Sequence, residues 1–154
     1  MAGVRLAGKG DAAALRRLFA AFRDWWGREQ PADAAIDEGV DRLLGDPDSD
    51  LLLALGEDGE PAGFAAVRYR YVVWVDGEEC ELEDLFVDDS ARGSGLGRAL
   101  VQAAVERARA RGCRRMQLNT NEANPAAVAL YESAGFHAWF DPPGGRSLNL
   151  RLEL

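Results

Sequence analysis

Three runs of strand length follow one another between residues 51 and 87, and turn signals join them. Residues 51–55 read Leu-Leu-Leu-Ala-Leu, Glu57-Asp58-Gly59-Glu60 leads into 62–71, and Asp76-Gly77 leads into 78–87. Asp-Gly between such runs is a hairpin signal, because glycine adopts the positive φ that a tight turn demands. The three runs therefore predict an antiparallel meander. Helical periodicity frames it on both sides. Leu15, Leu18, Phe19 and Phe22 recur on one face of a stretch that Asp11 can cap. Ile36, Val40, Leu43 and Leu44 do the same over 32–44, before Gly45-Asp46-Pro47 ends the pattern. Beyond the meander the order is helix 97–111, strand 114–119, helix 125–133, strand 136–140 and a last strand at 148–152, with a short first strand at 4–6. Helices on both sides of such a meander need sheet faces to cover. The expected fold class is α/β (α+β), a mixed, mostly antiparallel central sheet flanked by helices, in one domain over 1–154.

Composition narrows the function classes. A chain of 154 residues with 47% hydrophobic content can bury a substantial core without disulfides or a structural metal. Its two cysteines, Cys80 and Cys113, form no CxxC pair, so reduced thiols and no metal site are expected. The 18 Lys+Arg against 26 Asp+Glu give a formal charge of -8, which argues against nucleic acid as a partner. The start, MAGVRLAGKGD, lacks the apolar run of a signal peptide, and no stretch approaches the roughly 18 apolar residues of a spanning helix. A cytoplasmic protein without a membrane partner is expected.

The chemistry concentrates after the third run. Leu82-Glu83-Asp84-Leu85-Phe86-Val87 ends a strand; Asp88-Asp89-Ser90-Ala91 is a polar loop; Arg92-Gly93-Ser94-Gly95-Leu96-Gly97-Arg98 opens an amphipathic helix. Alternating glycines let the backbone turn tightly, and successive N–H groups at a helix start form a nest for phosphate or pyrophosphate. Arg92 and Arg98 add positive charge there. The loop lacks the GK[ST] ending of a triphosphate-binding loop, and its GxGxG spacing is not that of a dinucleotide fold.

This segment resembles the acyl-CoA loop of the GCN5-related N-acetyltransferase (GNAT) superfamily, whose pattern is Arg/Gln-x-x-Gly-x-Gly/Ala. A second match lies downstream, in Asn121 to Phe136, where an Asn precedes a short helix that ends in Leu-Tyr-Glu-Ser-Ala-Gly-Phe. Two motifs in the right order are far more specific than one, and the resemblance covers nearly the whole chain. It implies a sheet splayed open as an acyl-CoA cleft, with acetyl-CoA as the acyl donor and an amine as acceptor. The expected donor-binding set is the backbone of Leu85, Phe86 and Val87, the loop Arg92, Gly93, Ser94, Gly95, Leu96, Gly97 and Arg98, and Asn124 and Tyr131. A homodimer is also implied, because the family commonly dimerises.

Attack on a thioester needs a deprotonated amine, a stabilised oxyanion and a proton for the leaving thiolate. Leu-Glu-Asp-Leu-Phe-Val resembles polyamine-type acetyltransferases, which implies Glu83 as general base, directly or through water, with Asp84 its neighbouring competitor. In an ideal strand Glu81 and Glu83 share a face and Asp84 takes the other, unless a bulge intervenes. The resemblance implies Tyr131 as proton donor to the thiolate. Asn124 either positions the CoA arm or caps the next helix, where Pro125 suits the first position. Asp24, Trp25, Glu83 and Asp84 are the candidate acceptor contacts. Trp26, Tyr69, Tyr71 and Trp74 divide between the acceptor pocket and ordinary packing. His137 reads as a plain strand or surface residue, and an acyl-cysteine at Cys113 has no motif behind it. The leading expectation is acetyl transfer to a small cationic amine, a small-molecule partner. A peptide or protein amine, and a non-catalytic acyl-CoA-binding regulatory module, are the alternatives.

Overall fold

A computed structural model describes residues 3–139 and 150–154. In chain order the elements are β1 (Gly3–Leu6), α1 (Ala12–Trp25), α2 (Asp33–Gly45), β2 (Ser49–Leu55), β3 (Pro61–Val72), β4 (Gly77–Val87), α3 (Leu96–Arg111), β5 (Arg115–Gln117) and α4 (Pro125–Ser133). Among the described residues the strands form one five-stranded sheet in the order β1-β2-β3-β4-β5. Each neighbouring pair is antiparallel except β4 and β5, which run parallel. The meander and the mixed, mostly antiparallel sheet expected from sequence are both present.

The sheet is buried on two faces. α1 and α2 cover one with Leu15, Leu18, Ile36 and Val40, which pack on Leu51, Leu53, Phe64 and Ala66. α3 covers the other with Leu96, Leu100, Val101 and Ala104, which pack on Leu52, Ala65, Val67 and Leu82. Side chains alternate faces along a strand, so a run such as Leu-Leu-Leu-Ala serves both cores at once.

β4 breaks that alternation. Cys80 and Leu82 face α3, but so do Leu85 and Val87, while Phe86 joins the α1–α2 core. The register explains the switch: Leu82 lies opposite Val67 and Asp84 opposite Ala66, which leaves Glu83 as the extra residue of a β-bulge. A bulge bends its strand and re-aims side chains. Here it falls where β4 leaves β5, whose pairing ends at Glu81 and Gln117.

Four local expectations differ from the structure. The Asp11 carboxylate does not cap α1. It accepts from the Gly8 amide at 2.8 Å and from both Arg5 guanidinium ends at 2.7 and 2.8 Å. That charge-assisted pair is stronger than a helix cap would be, and it holds the Asp11 pKa down to about 2. The strand expected over 114–119 shortens to Arg115–Gln117, where the pairing with β4, its one neighbour among the described residues, ends. Residues 136–139 form no strand among the described residues, and residue 140 lies outside them. Of the expected last strand, 148–149 lie outside the described residues and 150–152 are not in a strand.

Candidate active site

The divergence of β4 from β5 opens a cleft of about 980 Å³. One wall is the stretch of β4 from the bulge onward, Glu83 to Val87; Asn119, Thr120 and Asn121 face it beyond the end of β5. Among the described residues no strand pairs with that side of β4 past Glu81, which leaves backbone groups there available to an extended ligand. Leu85, Phe86 and Val87 all line the cleft.

The start of α3 lies at its mouth. Gly93 and Gly95 take φ of +80° and +87°, a region that side-chain-bearing residues avoid. Gly95 sits at the N-cap and supplies no capping side chain. The first backward hydrogen bond of the helix runs from the Ala99 amide to Gly95 at 3.0 Å, so the amides of Leu96, Gly97 and Arg98 have no helical acceptor. Three donors at the positive end of a 16-residue helix fit a pyrophosphate. Gly97 also lets α4 approach, since a Cβ there would stand 3.4 Å from Leu130.

The other loop residues have mixed placements. The Ser94 hydroxyl turns inward and donates to the Ala91 carbonyl at 2.5 Å. Arg92 donates to the Val87 carbonyl at 3.2 Å, pairs with Asp89 at 2.8 Å and stacks 5.2 Å from the Trp25 ring centre. Its charge is thus partly spent on fixing the loop. Arg98 is exposed, with no ion pair among the described residues.

Glu83 opens onto the cleft from the bulge. Desolvation raises its pKa above the ordinary carboxylate value; Arg68 opposes the rise, and Asp84 and Glu81 add to it. Asp84 is more deeply placed, and burial raises its pKa as well. Neither carboxylate has a hydrogen-bonded partner among the described residues. Tyr131 projects from α4 into the same cleft, its ring edge-on to Phe136 at 6.1 Å. Burial raises its pKa and the Asp84 charge raises it further, so the phenol stays protonated at neutral pH. The cleft therefore holds a group able to take a proton and a group able to give one.

Asn124 caps α4: its side chain accepts from the Ala127 amide at 3.2 Å with Pro125 following, while the residue still lines the cleft. Asn121 closes a local turn, accepting from the Ala123 amide at 2.8 Å. Trp25 and Trp26 meet edge-to-face at 5.5 Å and border both the cleft and a smaller adjoining cavity of about 350 Å³.

Asp24 stands apart from this site. It pairs with Arg23 at 2.9 Å and does not line the cleft. Tyr69 is buried and donates to Asp50 at 2.7 Å, whereas Tyr71 and Trp74 are exposed near the β3–β4 turn and away from the cleft. His137 and Cys113 do not line it either. Sequence reasoning missed Arg23 near the end of α1, and Arg28, Gln30 and Pro31, which bring the α1–α2 connection to the cleft. Only the cationic and aromatic density around Trp25-Trp26 could have flagged them.

A mixed sheet that parts at a bulge, with an uncapped glycine-rich helix start at the opening, defines an acyl-CoA-binding type of fold. Residues 13–136 match the Acetyltransferase (GNAT) family, and the chain belongs to it. It is 36% identical over 119 residues to a streptothricin acetyltransferase of Streptomyces lavendulae, covering 71% of this chain and 61% of that protein. It is 34% identical over 137 residues to an aminoglycoside N(6')-acetyltransferase type 1 of Stenotrophomonas maltophilia, with 86% and 84% covered. A crystal structure of a putative acetyltransferase from Arthrobacter sp. FB24 superposes with a TM-score of 0.83 at 31% identity, covering 98% of this chain and 95% of that one. The chain spans less than two thirds of several of these relatives: 61% of the streptothricin acetyltransferase, 63% of a mycothiol acetyltransferase of Thermobispora bispora and 40% of an uncharacterized N-acetyltransferase of Methanocaldococcus jannaschii. Among the described residues no helix is long and apolar enough to cross a membrane, and no group of His, Cys, Asp or Glu has the arrangement of a metal site.

Proposed function

We propose that this chain transfers the acetyl group of acetyl-CoA to the amine of a small cationic acceptor. The observation that carries the proposal is that Glu83 and Tyr131 line one cleft, whose mouth is the uncapped start of α3. The pyrophosphate of the donor sits on the amides of Leu96 to Arg98, and its pantetheine arm runs along the free edge of β4. The acceptor enters from the side of Trp25, Trp26 and Asp84. Two unpaired carboxylates beside aromatic rings suit an ammonium-bearing molecule. The aminoglycoside and streptothricin acetyltransferases among the relatives support the same acceptor class.

The steps follow from proton bookkeeping. Glu83 takes a proton from the acceptor ammonium, and the freed nitrogen attacks the thioester carbonyl. The carbonyl oxygen gains negative charge near the Leu85 amide. The C–S bond then breaks and the Tyr131 hydroxyl protonates the departing thiolate; the nitrogen's second proton passes through water to restore the Tyr131 phenol, Glu83 releases its proton to solvent, and the products are an N-acetyl amine and free CoA. Excluding water from the cleft strengthens each of these contacts.

The test is acceptor-dependent CoA release over a panel of polyamines, aminoglycosides, amino acids and short peptides, with product masses recorded. A gain of one acetyl mass on cationic small molecules is the expected result; turnover only on peptides would move the acceptor class. Acetyl-CoA binding without turnover on any acceptor would favour a regulatory module.

Tyr131→Phe separates proton donation from packing. It keeps the ring against Phe136 and removes the hydroxyl. We expect kcat to fall about 10–100-fold with little change in acetyl-CoA affinity. Unchanged kcat would leave water as the proton source.

A further inference from the structure

The parallel β4–β5 ladder has only three register positions: Glu79 with Arg115, Cys80 with Met116, and Glu81 with Gln117. A ladder this short holds strands together weakly, and the chain loads its end with one carboxylate. Glu79 is 1% exposed. Its Oε1 accepts from Arg70 Nη2 at 2.8 Å and from Gln117 Nε2 at 2.9 Å, and its Oε2 accepts from Arg115 Nε. Arg70 belongs to β3, while Arg115 and Gln117 are alternate residues of β5 and so share a face. A single buried side chain on β4 thus ties three neighbouring strands.

Its position matters more than its strength. Two residues beyond Glu79 the ladder stops, and two residues beyond that the Glu83 bulge turns β4 away. The bulge sets the direction in which the strands part, and the Glu79 cluster sets the point from which they part. Desolvation pushes the Glu79 carboxyl up, but Arg70 and Arg115 outweigh it and hold its pKa below the ordinary carboxylate value. The cluster therefore stays charged throughout the neutral range. Arg70 and Arg115 remain 64% and 49% exposed, so removal of Glu79 would release them to water and not strand them in the core.

We propose that Glu79 is a positioning residue that anchors the apex of the β4–β5 wedge and thereby sets the width of the slot for the acyl-CoA arm. It acts roughly 20 Å along the strand from the Leu85 backbone, and it touches neither donor nor acceptor. The proposal rests on acetyl-CoA occupying that wedge.

Its test compares Glu79→Ala and Glu79→Gln with Asp50→Asn. Asp50 is a second buried carboxylate, on β2, bound to Tyr69 and Arg107 and absent from the cleft lining. Acetyl-CoA Kd is measured by calorimetry on the folded fraction, and amide exchange is followed at residues 115–117. Glu79→Ala should weaken acetyl-CoA binding about tenfold or more and speed exchange in β5. Glu79→Gln, which keeps one acceptor oxygen, should recover part of the affinity. Asp50→Asn should lower Tm and leave Kd within about twofold. A Glu79→Ala protein with a lowered Tm and an unchanged Kd would overturn the proposal, as would equal weakening by Asp50→Asn. If Glu79→Ala does not fold, Glu79→Gln decides by the same two readings. Faster β5 exchange in a protein that never binds acetyl-CoA would locate the failure in the functional reading, and the slot assignment would fall with it.

Discussion

Glu83→Gln should lower kcat by about 10²- to 10⁴-fold while acetyl-CoA binds within about threefold of its normal affinity. The amide keeps the volume and much of the polarity of the side chain but cannot accept a proton from an ammonium. Nothing in the fold depends on the carboxylate, since Glu83 is exposed and has no hydrogen-bonded partner among the described residues. The loss should therefore appear in turnover and not in Tm.

The pH dependence follows with its sign. Glu83 works as a base only when ionised, so kcat/KM should fall as pH drops through its pKa. Desolvation, with help from Asp84 and Glu81, lifts that pKa above the ordinary 4.5, and the acidic limb should lie correspondingly higher. Steady-state rates of the wild type and of Glu83→Gln across pH check both points. Asp84→Asn is the necessary companion. A large kcat loss there, with little in Glu83→Gln, would transfer the base to Asp84.

The parts of the site that were legible in the sequence are those built from neighbours in the chain. Gly93 and Gly95 take positive φ because the strand must turn at once into α3, and that need is written in the local spacing. Asn124-Pro125 is legible for the same reason, as a helix start made by adjacent residues. The placement of Glu83 is different. Whether it or Asp84 is the extra residue depends on how β4 registers with Val67 and Ala66 of β3, which no local pattern in β4 records. The α1–α2 connection was opaque too. Arg28 and Gln30 reach the cleft through the packing of two helices on the sheet, and their own stretch has no periodicity. Asp24 erred in the opposite direction: it neighbours Trp25 in sequence, but it pairs with Arg23 and does not line the cleft.

Gly63→Ala should be among the most destabilising single-methyl changes in the chain. Gly63 lies in β3 opposite Val87, and a Cβ there would stand 2.6 Å from the Phe86 carbonyl oxygen and 3.3 Å from the Val87 Cα. Both are backbone atoms of the neighbouring strand, so no side chain can swing aside. β3 and β4 must separate locally instead, at a cost of about 3 kcal/mol, which corresponds to a fall in Tm of about 6–12 °C. Gly39→Ala is the matched control. Gly39 lies within α2 with no atom within 4 Å of its added Cβ, and alanine is the better helix former by about 1 kcal/mol. The same methyl should therefore lower Tm at one site and raise it at the other in thermal melts. The Gly63 change also has a functional side, because the atoms it displaces belong to Phe86 and Val87, which line the cleft. Acetyl-CoA affinity should fall with Tm in Gly63→Ala and hold in Gly39→Ala. An unchanged Tm in Gly63→Ala would mean that β3 and β4 can separate at little cost, and the backbone contact would then not be what fixes that end of the cleft wall.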